Sequence, residues 1–313
     1  MAQEPRTLME AVRYFADPDV ALKHMVELRW GGTPTCPTCG RVDVRFIATR
    51  RIWECKEKHA CRQFSAKVGT IFEDSALPLD KWFVAIWMVA NCKNGISSYE
   101  MARALGITQK SAWHMNHRIR LAMKLGTIEK MGGDVEIDET YVGGKGVNRH
   151  KSDPRHRHGT ADKVPVIGAL QRGGKAVAAV IQRTDTQTLD GFAHAVVAKE
   201  ATLVSTDEHS GYRHLSRTYT HQVVRHAAGE YVSGSCHTNG IESFWALLKR
   251  ALKGTYISVE PFHLGRYVDE QTFRFNERKG TDGDRFAIAL KGIIGRKLTY
   301  RELIGHGAIA SAA

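Results

Sequence analysis

Two stretches, LVSTDE (residues 203–208) and HTNGIESFWALLK (residues 237–249), decide the fold that we predict for this chain. The first is a short apolar run that stops at an acid, which predicts a buried strand with Asp207 at its end. The second predicts an amphipathic helix, because apolar residues recur in it at helical spacing: Ile241, Trp245, Leu248 and Leu252. Glu242 and Lys249 share another face of that helix, about two turns apart.

Another acid, Asp138, lies upstream in a strand-like run, VEIDET (residues 135–140). Asp138, Asp207 and Glu242 are therefore expected to converge, with Asp134 as the next-best first acid. Grouped carboxylates repel one another unless cations lie among them, and hard oxygen ligands suit Mg²⁺ or Mn²⁺. Two such ions stabilise both the attacking and the leaving oxygens of phosphoryl transfer. The three acids thus predict a metal-dependent site for that chemistry.

The composition favours a polyanionic partner. The chain has 313 residues, with 45 Lys and Arg against 33 Asp and Glu and a net charge of +12. Such a balance suits nucleic acid or an acidic membrane surface. No apolar run approaches the roughly 20 residues that a membrane span needs. Residues 1–17 carry acids and lack an apolar stretch, so we expect no signal peptide and a cytoplasmic protein.

Four cysteines cluster in the N-terminal part of the chain: Cys36, Cys39, Cys55 and Cys61. In a reducing compartment such a cluster indicates a metal site and not disulfides. The CPTCG turn (residues 36–40) is typical of a zinc knuckle. We expect a structural zinc ribbon with four sulfur ligands. The alternative is that His59 replaces one cysteine, because the spacing between Cys55 and Cys61 is wide.

A helix-turn-helix is predicted at residues 97–122. Ser97 would cap a short helix, Gly106 would lie in the turn, and Thr108 would cap a second helix. In a DNA-binding protein the start of that second helix enters the major groove. The polar residues expected on its outer faces are Gln109, Lys110, His114, His117, Arg118 and Arg120. The alternative is an ordinary helical hairpin with a solvated basic face.

The rest of the chain predicts a mixed α/β domain. A hairpin is expected at residues 165–181 and a helix at residues 188–199. The segment 145–163, which includes Arg149 and Lys151, is equally compatible with a solvated loop and with a phosphate clamp. The predicted domains are an N-terminal helix (1–30), a zinc ribbon (31–75), a helix-turn-helix region (76–130), a catalytic domain (131–280) and a C-terminal tail (281–313).

Taken together, these motifs resemble the bacterial insertion-sequence transposases of the DDE class that carry an N-terminal zinc ribbon. The resemblance spans residues 29–278. It is carried by CPTCG (36–40), QFS (63–65), GTIF (69–72), DETYVGG (138–144), Asp207 with GY (211–212), and HTNGIESFW (237–245).

The resemblance implies an RNase H-like catalytic fold with Asp138, Asp207 and Glu242 as ligands of two Mg²⁺ or Mn²⁺ ions. It further implies hydrolysis at the element's ends and attack of the freed 3′-hydroxyl on target DNA, with Lys249 at a phosphate. Some relatives have an asparagine as the third ligand, and Asn239 lies one turn before Glu242. We favour Glu242, because a carboxylate holds Mg²⁺ better than an amide, and place Asn239 and His237 beside it.

The same resemblance implies double-stranded DNA as the partner, a homodimer or larger assembly on paired ends, and a nucleoid-associated location. Two alternatives stay open from the sequence. One is a DNA-binding regulator with an inactive domain. The other is a structure-specific nuclease of the same fold.

Overall fold

A computed structural model describes residues 4–124, 126, 129–144, 163–225, 232 and 234–305. The contacts divide the chain into two units. The first contains residues 1–124 and 278–313, and the second contains residues 125–277. None of the helices in the described part of the chain has the length and hydropathy that crossing a bilayer requires.

The first unit begins with two helices, α1 (Leu8–Phe15) and α2 (Pro18–Trp30), where one helix was predicted. The break falls at Asp17, whose backbone is extended because it precedes Pro18. Asp17 caps α2, and Pro18 occupies its first position. Gly31 ends α2 in the left-handed conformation, at φ 57°.

A small antiparallel sheet follows, with β1 (Val44–Ile47), β2 (Ile52–Cys55) and β3 (Gln63–Phe64) in the order β1-β2-β3. Its core is aromatic. Trp53 of β2 stacks on Phe64 and meets Trp30 edge-on. Since so small a sheet buries few apolar side chains, it depends on additional links between its loops.

The helical part of the first unit contains α3 (Leu79–Asn91), α4 (Ser98–Leu105) and α5 (Gln109–Met123). Ser97 and Glu100 form a capping box at the start of α4, and Thr108 caps α5. Gly106 has φ 60° in the turn between α4 and α5, a conformation that favours glycine. The helix-turn-helix prediction is confirmed in its helices, its caps and its turn.

The second unit is built on a five-stranded mixed sheet. Its strands are β4 (Asp134–Val142), β5 (Val164–Gln171), β6 (Ala176–Val180), β7 (Leu203–Thr206) and β8 (His221–Val223), in the order β6-β5-β4-β7-β8. β5 is antiparallel to β4 and β6, whereas β7 is parallel to β4 and β8. This arrangement confirms the RNase H-like mixed sheet. The short edge strand β8 was not predicted.

Helices cover both faces of this sheet. On one face α6 (Thr186–Val196) packs through Leu189 against Ile137 and Val204. On the other face lie α7 (Asn239–Arg250) and α8 (Leu264–Asn276). The apolar face predicted for α7 is buried there. Gly168 of β5 allows this approach, because a Cβ at that position would lie 2.7 Å from the Trp245 ring.

The C-terminal segment, predicted as a tail, contains α9 (Asp282–Lys291) and α10 (Tyr300–Leu303) and belongs to the first unit. Arg285 donates to the side-chain oxygen of Asn91 at 2.7 Å. Arg296 donates to the carbonyl oxygens of Ala122 and Lys124 at 3.0 Å and so caps the C-terminal end of α5. The helix-turn-helix is therefore held by residues that follow it by about 170 positions.

Candidate functional site

The parallel pairing of β4 and β7 brings the two predicted strand acids together. Asp134 pairs with Leu203, and Glu136 pairs with Ser205. Continuing this register by two residues places Asp138 level with Asp207, which directly follows β7. Asp138 is held from the α7 side, where the indole Nε1–H of Trp245 donates to its carboxylate at 2.9 Å. The sequence prediction that these two acids converge is therefore supported by the register and by the distances below.

A third acid, Glu139, completes the carboxylate cluster. Asp138, Glu139 and Asp207 each offer a carboxylate oxygen within 4.8 Å of the others. Glu139 is held from the α6 side of the sheet, where the Tyr212 hydroxyl donates to it at 2.5 Å. Glu139 was not predicted as a member of the site, because neighbouring residues of a strand, such as Asp138 and Glu139, project to opposite faces of the sheet. The adjacent acids of the DETYVGG motif were the available signal.

The raised pKa values of the clustered carboxyl groups favour the binding of a cation. Burial, then the charges of Asp207 and Glu139, raise the pKa of Asp138 to about 7. Burial and Asp207 also raise the pKa of Glu139, although its hydrogen bond from Tyr212 opposes this. Carboxylates that resist ionisation in one another's presence are stabilised by a divalent cation among them. The donor set, oxygen atoms only, fits Mg²⁺ or Mn²⁺.

The turn after β7 fixes the position of Asp207. The backbone N–H of His209 donates to the Asp207 carboxylate at 3.0 Å, and the N–H of Gly211 donates to Nδ1 of His209 at 3.0 Å. Nε2 of His209 lies 3.7 Å from Glu139. Glycine fits at position 211, because a Cβ there would lie 2.5 Å from the Leu189 side chain, which would have to shift. His209 thus links two of the acids, a role that the sequence did not reveal.

The start of α7 is anchored to β4 by a buried acid. Glu136 is 1% exposed and accepts the backbone N–H of Ile241 at 2.9 Å. Arg172 donates to Glu136 at 2.9 Å and to the carbonyl oxygen of His237 at 3.0 Å. Nδ1 of His237 lies 3.1 Å from Glu136. These contacts fix the beginning of α7 to Glu136, which precedes Asp138 by two residues in β4. Neither Glu136 nor Arg172 was predicted from the sequence.

Glu242 lies on α7 but outside the carboxylate cluster. Its side chain is exposed and accepts the hydroxyl of Thr238 at 2.9 Å. It lies one turn before Trp245, which contacts Asp138. Asn239 is the first residue of α7, and Lys249 is exposed near its other end. The structure therefore brings Asp138 and Asp207 together, and it leaves Glu242 on the adjoining helix.

In the first unit the metal-binding atoms belong to three cysteines and one histidine. Cys36, Cys39, Cys55 and His59 each offer a ligand atom within 4.8 Å of the others. Cys61 is exposed and lies outside this group, so its prediction as a ligand is wrong. The alternative, His59, takes its place because the loop after β2 turns back towards the CPTCG knuckle. Nε2 of His59 lies 3.4 Å from the sulfur of Cys36.

The ligand atoms of this group fit a structural zinc ion. Burial raises the pKa of the Cys36 thiol, but hydrogen bonds from the backbone of Cys39 and Thr38 outweigh it and lower the pKa to about 6. The thiolate is the form that binds metal. Three sulfurs and one imidazole complete a tetrahedral set with no open position, which is typical of a structural site.

The predicted DNA-contacting face of α5 is accessible only at its start. Lys110 is exposed, and Gln109 and His114 are partly exposed. His117 and Arg118 are 0% and 6% exposed, so their prediction as DNA contacts is wrong. The C-terminal segment encloses this part of the helix, and Arg118 donates to the carbonyl oxygen of Leu298 at 3.0 Å. Arg120 is buried as well. The predicted contacts Arg149 and Lys151 lie outside the described residues.

Several known proteins resemble this chain. A protein of Halobacterium salinarum, described as an uncharacterized protein in transposable element ISH50, is 27% identical over 258 residues, which cover 78% of this chain and 86% of the relative. The Mos1 strand transfer complex gives a TM-score of 0.28 at 9% identity, over 67% of this chain and 78% of that one. A pre-cleavage Mos1 transpososome gives 0.21 at 12% identity, over 93% and 98%. Both TM-scores are low, and neither bears on fold or function.

Two family models match separate parts of the chain. Residues 17–63 match the transposase zinc-ribbon domain, which contains the cysteine and histidine cluster. Residues 130–276 match the ISXO2-like transposase domain, which contains the carboxylate cluster and all of α7. The order of the two matches is the order that the resemblance implied. The chain therefore combines a match to a transposase zinc ribbon with a match to an ISXO2-like transposase domain, which is consistent with a DDE transposase of an insertion sequence.

Proposed function

We propose that the chain binds the ends of its insertion sequence, hydrolyses DNA there, and joins the 3′-hydroxyl ends to target DNA. The observation that carries this proposal is the cluster of Asp138, Glu139 and Asp207, whose oxygens lie within 4.8 Å of one another. Burial, together with the charges of Asp207 and Glu139, raises the pKa of Asp138 to about 7, and a bound cation would offset this cost of ionisation. Groups with such shifted pKa values are concentrated at functional sites, which supports a functional role for the cluster.

Asp138 and Asp207 would hold divalent cations, Mg²⁺ or Mn²⁺, together with a third carboxylate. Two bound cations would stabilise the attacking and leaving oxygens of the DNA phosphate. We propose Glu242 as the third carboxylate, because it is exposed on the helix that contacts Asp138. The Glu139 carboxylate already accepts the Tyr212 hydroxyl and lies near His209.

The surrounding residues would keep the acids in place during the reaction. Trp245 fixes the orientation of Asp138, and the N–H of His209 fixes that of Asp207. The anchor formed by Glu136 and Arg172 holds the start of α7, and with it Asn239, next to β4. Side chains that are preset in this way avoid reorganisation when charge develops at the phosphate.

Binding to DNA would use cations on both units. Lys249, exposed two turns after Glu242, suits a phosphate near the cut. Gln109, Lys110 and His114 at the start of α5 are placed for the helix-turn-helix mode of groove binding. Additional phosphate contacts are proposed for Arg149 and Lys151 from their basic sequence context alone. Two or more copies of the chain would act on paired ends.

The test is an in vitro reaction with purified protein, Mg²⁺, and duplexes that contain the inverted repeats flanking the gene. Joined products support the proposed transposase. Nicks without joining would instead indicate a nuclease of the same fold. Specific binding that neither needs Mg²⁺ nor leads to cutting would indicate a DNA-binding regulator. Reactions without divalent cation and with an unrelated duplex are the matched controls.

A further inference from the structure

The chain makes a strained turn just beyond α7. Ile257 has φ 60° and ψ −58°, and the N–H of Ser258 donates to the carbonyl oxygen of Tyr256 at 2.6 Å. This is the γ-turn with a positive φ at its centre, which is rare and strained. A β-branched residue is among the least suited to that conformation. Glycine would adopt it at little cost, and yet the chain has isoleucine here.

The strain persists because the residue before the turn is firmly held. The Tyr256 hydroxyl donates to Glu270 of α8, which is fully buried and forms an ion pair with Arg274. Before it lies a π-helical turn, Ala251–Tyr256, which continues α7 directly. Strained conformations survive where the surroundings fix them, and they concentrate at functional sites.

The held turn presents apolar side chains to solvent. Ile257 is 82% exposed, and Phe262 in the same segment is 54% exposed. Neither side chain therefore contributes much to the core. An apolar side chain held outward at a conformational cost is better explained by a binding partner than by packing.

The charges around the turn indicate what that partner is. Residues 249–266 contain four Lys and Arg residues, Lys249, Arg250, Lys253 and Arg266, and one acid, Glu260. Lys249, Arg250 and Lys253 are exposed. Lys249 and Lys253 continue the face of α7 that begins with Glu242, over a distance of about 20 Å from Glu242 to Ile257. A polyanion that binds at the carboxylate cluster and extends along this face of α7 would also contact the turn at Ile257.

We propose that the segment Tyr256–His263 is a wedge that contacts the bases of the DNA. Ile257 inserts at a base step, Phe262 stacks on a base beside it, and Lys249 and Lys253 neutralise the adjacent phosphates. Apolar wedges of this kind unstack a base step and bend the duplex. The wedge rests on the proposed function, since it assumes that DNA lies on α7, and it adds a base contact to that function.

The experiment compares the binding of full-length variants to two kinds of duplex, in the absence of Mg²⁺ and Mn²⁺ so that nothing is cut. One is a fully paired duplex of about 30 bp from the DNA flanking the gene. The others carry a single mismatch that is moved along the same sequence. A mismatch supplies in advance the unstacking that a wedge must impose.

Ile257→Gly is expected to bind the paired duplex about five- to tenfold more weakly than wild type. One position of the mismatch should restore its affinity to within about twofold, because the unstacking has already occurred. Its melting temperature should be equal to or higher than that of wild type, because glycine relieves the turn. Phe262→Ala is expected to bind about tenfold more weakly, as for the loss of one stacked base. Met9→Ala, which truncates an apolar side chain 59% exposed on α1, is the control and should bind like wild type.

Wild-type affinity of Ile257→Gly would overturn the wedge, and so would a loss that no mismatch position restores. A change in oligomeric mass with unchanged DNA affinity would assign the turn to a second copy of the chain, which also overturns it. If wild type itself binds neither duplex, then the proposed function fails first. That outcome is distinct, because it does not depend on any variant.

Discussion

The two clusters of metal-binding side chains in this chain are built in opposite ways. The first takes Cys36, Cys39, Cys55 and His59 from a stretch of 24 residues, in the loops of a three-stranded sheet and at the end of its strand β2. The second takes Asp138 and Glu139 from β4 and Asp207 from the residue after β7, 69 positions after Asp138. The zinc cluster depends on local turns, whereas the acid cluster depends on the pairing of β4 with β7.

We infer that this difference separates a structural site from the catalytic site proposed above. Sulfur and imidazole ligands complete a closed set that substitutes for a hydrophobic core in a small sheet. The acids lie on a sheet that already has a core on each face, so their metal is not needed for folding. We therefore expect that metal removal unfolds the ribbon and leaves the second unit folded.

The largest expected effect concerns the zinc ligands. Cys39→Ser should abolish zinc binding and unfold the ribbon, because structural zinc contributes on the order of 10 kcal/mol to such folds. Zinc content, measured by atomic absorption, is expected to fall from one ion per chain to near zero. His59→Ala should behave in the same way.

Cys61→Ser is the matched control, since Cys61 is an exposed cysteine of the same loop that lies outside the cluster. It should keep one zinc ion per chain. Loss of zinc in this variant together with retention in His59→Ala would restore the four-cysteine site that the sequence analysis favoured.

A second prediction concerns Asp207, one of the two strand acids of the proposed catalytic site. Asp207→Asn should reduce strand joining by at least about a thousandfold, equivalent to about 4 kcal/mol, because the cluster loses an anionic ligand. Binding to the ends should stay within about twofold of wild type. Glu208→Gln, a change of the same type at the exposed neighbouring residue, is the control and should retain most activity. Equal losses in both variants would indicate damage to the turn after β7.

The third prediction decides which glutamate completes the site. Glu242→Gln should lower joining about a hundredfold if Glu242 binds the cation, and higher Mn²⁺ should restore part of the activity. Glu139→Gln keeps an oxygen that accepts from Tyr212 and should cost less than about tenfold. The reverse order of the two effects would assign the third ligand to Glu139, which already lies in the cluster. Titration of Mn²⁺ against both variants measures the binding directly.

The elements that are fixed by local chemistry were predictable from the sequence. Caps and turns marked α4 and α5, and the apolar runs marked β4, β5, β6 and β7. The acids in or directly after strand-like runs identified Asp138 and Asp207. These features follow from the residues within one element, and that is why they could be located without a structure.

The errors arose where distant parts of the chain meet. His117 and Arg118 were placed on an outer face, because nothing near α5 in the sequence showed that distant residues lie against it. In the structure both are buried, and Arg118 donates to the carbonyl oxygens of Ile71 and Leu298. Spacing alone could not separate His59 from Cys61, since either can close a loop of that length. Glu136 and Arg172 were missed because their contact joins residues 36 positions apart.

The smallest predicted effect uses the stability of the second unit to test the acid cluster before any catalysis is measured. The Asp138 pKa is raised from 3.8 to about 7 in the folded chain. The folded state therefore holds this proton more tightly, so the free energy of unfolding falls as the pH rises from about 4 to about 7. The shift is worth at most about 4 kcal/mol. Asp138→Asn should remove that loss and still accept the Trp245 indole, so at pH 7.5 it should be more stable than wild type.

Denaturant unfolding of zinc-loaded protein free of other divalent cations checks this, and added Mn²⁺ should stabilise wild type but not the variant. Parallel pH profiles for the two proteins would mean that burial and the neighbouring acids do not raise the pKa of Asp138. The cluster would then not need a cation to offset its ionisation.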